Sequence, residues 1–384
     1  MARLLAYLNI FFHGALCGML AVVVTSCAQA LGIENSDVVS TFAVFSLAST
    51  AMIHINTSFL LPRYRVGQVL TLASLIFLVS IFLFMTCSDK TSLTWAFLSL
   101  GLGLGMGFST ANYLLVSRYE GRERSSKLAL MTFFYCVGAT LSPAIGGQIL
   151  SRSLPWQYSL LWPIAIFWLG NLVSFWLPAK RYESSAAKRA YGAWPREVYL
   201  VALSLFLFSL AEISFTSWLN VDGEEVMKLG VEDAAYLASV FWFVVGVGRY
   251  SASRVLLRVP DKTFVLFSCL IAVLGFLFYI RVSTYGLALL AVSILGLGLS
   301  AVNPSLVSLG TSFSRSPGLL SFLLTAGSLG PVVAPLTSQW IYARYGSFGN
   351  VASCLVYLGA LVGLVSFLKT RHLGEEVTHE ANAG

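Results

Sequence analysis

Glu212 is the residue of this sequence whose type and surroundings most invite chemistry, because it is an acid placed inside an apolar run, 198–220. The other Asp and Glu residues fall in polar breaks, tails or the edges of apolar runs. A carboxyl in such a run either carries a proton as a neutral acid and releases it where water reaches it, or bridges helices through a hydrogen bond. Arg249 is the one basic residue placed well inside a run, 234–256, with Arg254 assigned to its cytoplasmic end. Its planar fork suits a carboxylate, and its long stem also suits a helix end that reaches back to a polar face. At ~1.5 Å per residue, Glu212 lies about 12 Å and Arg249 about 20 Å below the same ends of their helices. A direct pair therefore needs long side chains or water.

Span one offers Asn9, His13 and Cys17 at i, i+4 and i+8, a polar stripe on one helix. His13 titrates in the physiological range when water reaches it, or else serves as a packing hydrogen bonder. Asn112 and Asn303 supply paired donors and acceptors for a hydroxyl-rich solute, or helix–helix hydrogen bonds. Trp218, Trp242, Tyr250 and Trp340 bring flat aromatic faces, and Ser338 and Gln339 add polar capacity beside them. His54 and Asn56 stand near the end of their run and carry less weight. The six cysteines are scattered singly with no CxxC or Cys/His cluster, so no metal site is expected. The glycine series Gly101-x-Gly103-x-Gly105-x-Gly107 and Gly296-x-Gly298 are helix-packing devices. No strand precedes them and no Lys-Ser/Thr follows, so no phosphate loop and no cofactor is expected.

The elements that must position these residues are helices in a bilayer. Hydrophobic residues make up 57% of the 384 positions and charged residues only 11%, against about a quarter charged in a soluble domain. Too little polar side chain is available to cover a globule of this size in water. Apolar runs near 5–31, 38–61, 67–87, 93–117, 127–151, 157–178, 198–220, 234–256, 263–281, 284–310, 317–343 and 349–368 predict twelve spans. The first is read as an uncleaved span, being longer than a signal-peptide core. Placing both termini in the cytoplasm puts eighteen of the 24 Lys and Arg on that side, as the positive-inside rule requires. The net charge of +7 is thus a topology signal, and nucleic acid is not an expected partner.

The longest hydrophilic break, 179–197, divides the runs six and six. The expected organisation is a bundle over 1–178, a cytoplasmic linker over 179–197, a second bundle over 198–371 and a cytoplasmic tail over 372–384. The halves share a pattern. Gly105-Met106-Gly107 leads to Asn112 and then Pro143, while Gly296-Leu297-Gly298 leads to Asn303 and then Pro331, at offsets of 191 and 188 positions.

With these features the chain resembles the major facilitator superfamily over essentially its whole length. Within it, Tyr119-Glu120-Gly121-Arg122-Glu123-Arg124, Ser217-Trp218-Leu219 and Gly248-Arg249-Tyr250 are similar to the fucose:proton symporters and their TsgA-like relatives. The usual second-to-third loop signature is reduced to Arg63-Tyr64-Arg65-Val66-Gly67 without its acid. The resemblance implies an all-α membrane protein of twelve transmembrane helices in two pseudo-symmetric six-helix bundles. It implies a secondary transporter rather than an enzyme, working by alternating access. The expected cargo is a small polar, sugar-like solute moved by proton symport; the alternative is a proton-coupled exporter of drugs or amphipathic metabolites. The symporters carry membrane carboxylates in spans one and four, where this sequence has Ala21 and Phe108, so coupling must sit elsewhere. Glu212 and His13 are the expected proton-coupling residues, with Asn9, Asn112, Trp218, Trp242, Arg249, Asn303 and Gln339 expected to bind the solute. The expected partners are the solute, a proton or another coupling ion, and membrane lipid, with the protein a monomer in the plasma or inner membrane.

Overall fold

A computed structural model describes residues 2–116, 121–172, 194–256, 258–282, 284–313 and 319–368. Among them every regular element is a helix, as lipid demands of a chain that must satisfy its own backbone polar groups. The tail expected at 372–384 and most of the linker expected at 179–197 lie outside the described residues, as do Tyr119 and Glu120.

Among the described residues each apolar run falls chiefly on helix. The first run is α1 (Ala2–Met19) and α2 (Val24–Leu31), and the second is α3 (Asn35–Ile55), continued by a π-helical turn Asn56–Leu60 and the short α4 (Leu61–Arg63). Then come α5 (Val66–Met85), α6 (Lys90–Val116), α7 (Gly121–Ser151) and α8 (Gln157–Leu172). The second half holds α9 (Arg196–Val221) with a π-helical turn Asp222–Val226, α10 (Val231–Val255), α11 (Asp261–Tyr279), α12 (Tyr285–Leu299), α13 (Val302–Thr311) and α14 (Leu319–Ser366). Nine described helical segments are long and apolar enough to cross a bilayer, or ten if α1 and α2 form one bent span. α14 contains two of the expected runs, divided at Gly346.

Local chemistry explains the breaks. Asp89 starts α6 by accepting the Ser92 N–H at 2.7 Å, and the Ser92 hydrogen bonds hold this exposed carboxyl below its ordinary range. Gly346 has φ 62° and ψ −161°, a conformation nearly closed to residues with a Cβ, which lets the chain turn back without a loop. The α12–α13 break precedes Pro304, whose missing N–H leaves the Ser300 carbonyl without its helical donor. The expected first span is made of two helices bent by 61° to one another. No Pro lies at that bend, which follows Gly18 and Met19 and leads into the β-branched run Val22-Val23-Val24-Thr25.

The packing inverts that of a soluble protein. Large apolar side chains such as Phe82, Phe267 and Val356 are more than 60% exposed on the outside, where acyl chains solvate them. Two apolar cores form, one from the first half and one from the second. The halves meet chiefly through α7 against α10 and α3 against α14. Because the spans alternate in direction, the ends of α2, α7 and α9 and the starts of α3 and α10 share the face remote from the termini, here the distal face. Trp218, Val221 and Ala235, near that face, pack into the first half's core.

Candidate functional site

Between the halves, five helices bring ionisable and aromatic side chains together. Glu212 lies midway along α9, half-buried, and its Oε1 is buried with no hydrogen-bond partner. Arg249, on α10, donates from Nε to the Ser300 carbonyl at 3.1 Å, the acceptor that Pro304 left free. A guanidinium nitrogen of Arg249 also meets Cys136 Sγ of α7 at 3.6 Å. Glu212 and Arg249 interact electrostatically without touching. Among the described residues the one ion pair within 4.0 Å is Lys90 with Asp37, on the distal surface.

The first half faces them with His13, Cys17, Phe108 and Tyr135. The His13 ring lies 4.9 Å from Phe108 and 5.9 Å from Tyr135, and its Nδ1 is buried without a partner. The Cys17 thiol sits beside the Tyr135 hydroxyl. Tyr135 meets Trp242 of α10 edge to face at 5.9 Å, a contact across the halves. This register depends on the close approach of α1 and α7. A Cβ on Gly138 would stand 2.0 Å from the Phe11 carbonyl oxygen, and one on Gly14 2.1 Å from that of Tyr135. Glycine alone permits that contact.

The remaining expected site residues are distributed more widely. Asn9 donates to the Leu5 carbonyl at 2.8 Å and to Asn171 Oδ1 at 3.1 Å, so it faces α8 instead of the interface shared by His13 and Cys17. Beside it, a 260 Å³ groove between α1 and α8 is almost wholly apolar. Asn112 donates to the Phe108 carbonyl of its own helix at 2.9 Å. Asn303 is half-buried, with its amide nitrogen near Gly327. Gln339 is half-buried on α14. Trp218 is enclosed: its Nε1 donates to Ser338 Oγ at 3.0 Å and its ring stacks on Tyr342 at 3.7 Å. In this conformation no solute reaches that indole. Trp242 is 7% exposed and packs on Phe241 and Tyr135.

Sequence reasoning passed over two features and gave little weight to a third, Asn56. Tyr135 and Cys136, which link His13 and Cys17 to Arg249, lie in an ordinary aromatic stretch and gain meaning only from what opposes them. Asn56 is fully buried and donates to Met106 O, Ser109 Oγ and Thr110 Oγ1, joining the second and fourth spans. Asp222 is 1% exposed and accepts hydroxyl hydrogen bonds from Tyr342 at 2.8 Å and Tyr279 at 3.3 Å. Its closeness to Glu224 and Glu225 makes it look like loop in the sequence, whereas the π-helical turn carries α9 on past it.

Comparisons with known proteins agree with this architecture. The model of the Major Facilitator Superfamily matches residues 6–319. A Protein TsgA homolog of Yersinia pseudotuberculosis is 24% identical over 98% of this chain and 97% of its own. Protein TsgA of Shigella flexneri is 26% identical over 89% of this chain and 88% of its own. Among solved structures, a mutant of the nucleoside transporter NupG superposes with a TM-score of 0.75 at 14% identity, covering 95% of this chain and 98% of that one. A bacterial homolog of the human lysosomal transporter Spinster, inward-facing and occupied, superposes with a TM-score of 0.69 at 16% identity over 95% of each chain.

Proposed function

Because this chain belongs to the Major Facilitator Superfamily and is a multi-pass membrane transporter, we propose that it moves a small polar, sugar-like solute by alternating access, in symport with a proton. The observation that carries this reading is Glu212. A buried carboxyl oxygen without a partner costs free energy, and here it sits between the halves within the field of Arg249. Such a group is suited to exchanging a proton as the cavity opens to one side and then the other. His13, whose Nδ1 is also unpartnered, is the second candidate for the proton path. Arg249, Asn303, Gln339 and Trp242 would contact the solute, with Asn9, Asn112 and Trp218 supporting the wall behind it. Both termini are placed in the cytoplasm by the distribution of Lys and Arg, the first bundle ends near 178 and the second begins near 198, and the protein works as a monomer in the inner membrane.

A second reading, export of amphipathic compounds, draws on the aromatic lining. Tyr7 with Phe134, His13 with Phe108 and Tyr135 with Trp242 offer more ring surface than hydrogen-bonding capacity. Thermal stabilisation against sugars, nucleosides, organic anions and cationic amphiphiles separates the two. A ligand at about a hundred times its Kd adds roughly 2.7 kcal/mol to stability. Stabilisation by a sugar or nucleoside is the expected result. Stabilisation confined to amphipathic cations would replace the symport reading with the export one.

A further inference from the structure

The distal ends of the two halves meet at the turn that follows α9, and that turn is built around a buried acid. Asp222 accepts from Tyr279 of α11 and from Tyr342 of α14, and the Ser347 hydroxyl lies beside it. Tyr342 and Ser347 stand on opposite sides of Gly346, so the left-handed backbone there lets both strands of the α14 hairpin converge on one carboxyl. Tyr342 in turn stacks on Trp218, which is tied to Ser338. Asp222 therefore joins α9, α11 and both limbs of α14 at a single point.

What this hub holds in place is the contact with the first half. Two residues further on, Glu224 projects beside the Thr25 hydroxyl of α2, a polar contact across the halves. Glu225 accepts a hydrogen bond from the Asn35 amide at the start of α3. Nearby, Gln148 of α7 donates to the Tyr236 hydroxyl of α10. Asn220, just before the hub, is fully buried with neither amide atom bonded.

We infer that Asp222 is a positioning residue of transport: it fixes the turn so that Glu224 and Glu225 seal the distal mouth against Thr25 and Asn35, and loss of its negative charge loosens that seal. All three neighbouring hydroxyls can donate to a carboxylate at once. An amide, or a protonated acid, turns one of its two positions into a donor and breaks that agreement. The titratable groups facing Asp222 are Tyr279, Tyr342 and Cys354, with Glu225 on its own turn. The inference rests on the alternating-access reading for its place in the cycle, but the seal itself can be tested without a substrate.

The test is an Asn35→Cys/Glu225→Cys pair in a Cys87→Ser background, with a protease site introduced between the halves. Cross-linking by a short bifunctional thiol reagent is read as retention of one band after cleavage. Adding Asp222→Asn is expected to slow cross-linking about threefold or more, and Tyr342→Phe with Tyr279→Phe by a smaller factor. The ratio of rates, Asp222 protein to Asn variant, is expected to fall towards one as pH is lowered through the carboxyl titration. Glu225 is absent from both arms, and Glu224 is common to both. Equal rates in the two proteins at all pH values would overturn the inference. If Asp222→Asn does not fold, unchanged cross-linking in the double Tyr→Phe variant overturns it instead. If cross-linking depends on Asp222 and yet the cross-linked protein still transports, the seal stands and the alternating-access reading falls.

Discussion

The two halves solve the same packing problem with different chemistry. In the first half, glycines press helices together backbone to backbone: Gly14, Gly101, Gly105 and Gly138 each lie where a Cβ would fall within about 2.3 Å of a neighbouring carbonyl oxygen. In the second half the backbone contacts are looser, with Gly298 meeting the Ala272 nitrogen at 2.5 Å and Gly296 the Phe241 carbonyl oxygen at 2.8 Å, while Gly248 and Gly310 face the side chains of Ser300 and Leu323. The polar interior differs as well. The first half buries neutral amides, Asn9 against Asn171 and Asn56 against the fourth span. The second half holds Glu212, Asp222 and Arg249. On the proposed reading, the difference makes one half a close-packed wall, with His13, Cys17 and Tyr135 at the interface, and gives the other the buried acid that proton coupling would use.

Substitutions that break this contrast should differ in size. Gly138→Ala should be the most damaging, about 3 kcal/mol, because the Phe11 backbone cannot yield, whereas Gly310→Ala should stay within about 1 kcal/mol because the end of Leu323 can rotate. Thermal unfolding of the two variants side by side measures the contrast, and equal losses would erase it. Asn56→Ala should cost about 1 kcal/mol, the scale of an interhelical hydrogen bond in a bilayer, and the loss should be the same at acid and neutral pH because an amide does not titrate. A pH-dependent loss would mean that the first half's interior also carries charge. Lys90→Ala should cost about 0.5 kcal/mol or less, and nothing at high salt, since its pair with Asp37 is exposed.

The spans were legible in the sequence because lipid imposes a length and a composition on every one of them. Glu212 was legible through its isolation in an apolar run. The bend between α1 and α2 was not, because Leu20-Ala21-Val22-Val23 continues the apolar run and its β-branched valines lower helix preference only slightly. The grouping of Asn9 with His13 and Cys17 shows a limit of spacing: each step of four residues turns about 40° beyond a full circle. By Asn9 the stripe has rotated from the interface to α8. Asp222 escaped notice because neighbouring acids mimic a loop, and nothing local shows that Tyr279 and Tyr342 come from far along the chain to cover it. Tyr135 and Cys136 matter only through their opposition to Trp242 and Arg249, which periodicity within one helix cannot reveal.

The central claim is that the second half carries the transported proton on Glu212, and ligand-linked proton exchange tests it most directly. The purified protein, in weakly buffered detergent solution with a pH-sensitive dye, is mixed with the solute identified by thermal stabilisation. The account predicts that the wild type takes up or releases about one proton per solute bound when pH lies near the carboxyl's titration. Glu212→Gln should bind the solute and exchange none. The same proton exchange in Glu212→Gln would contradict the assignment and move the coupling site elsewhere, with His13 the first residue to test.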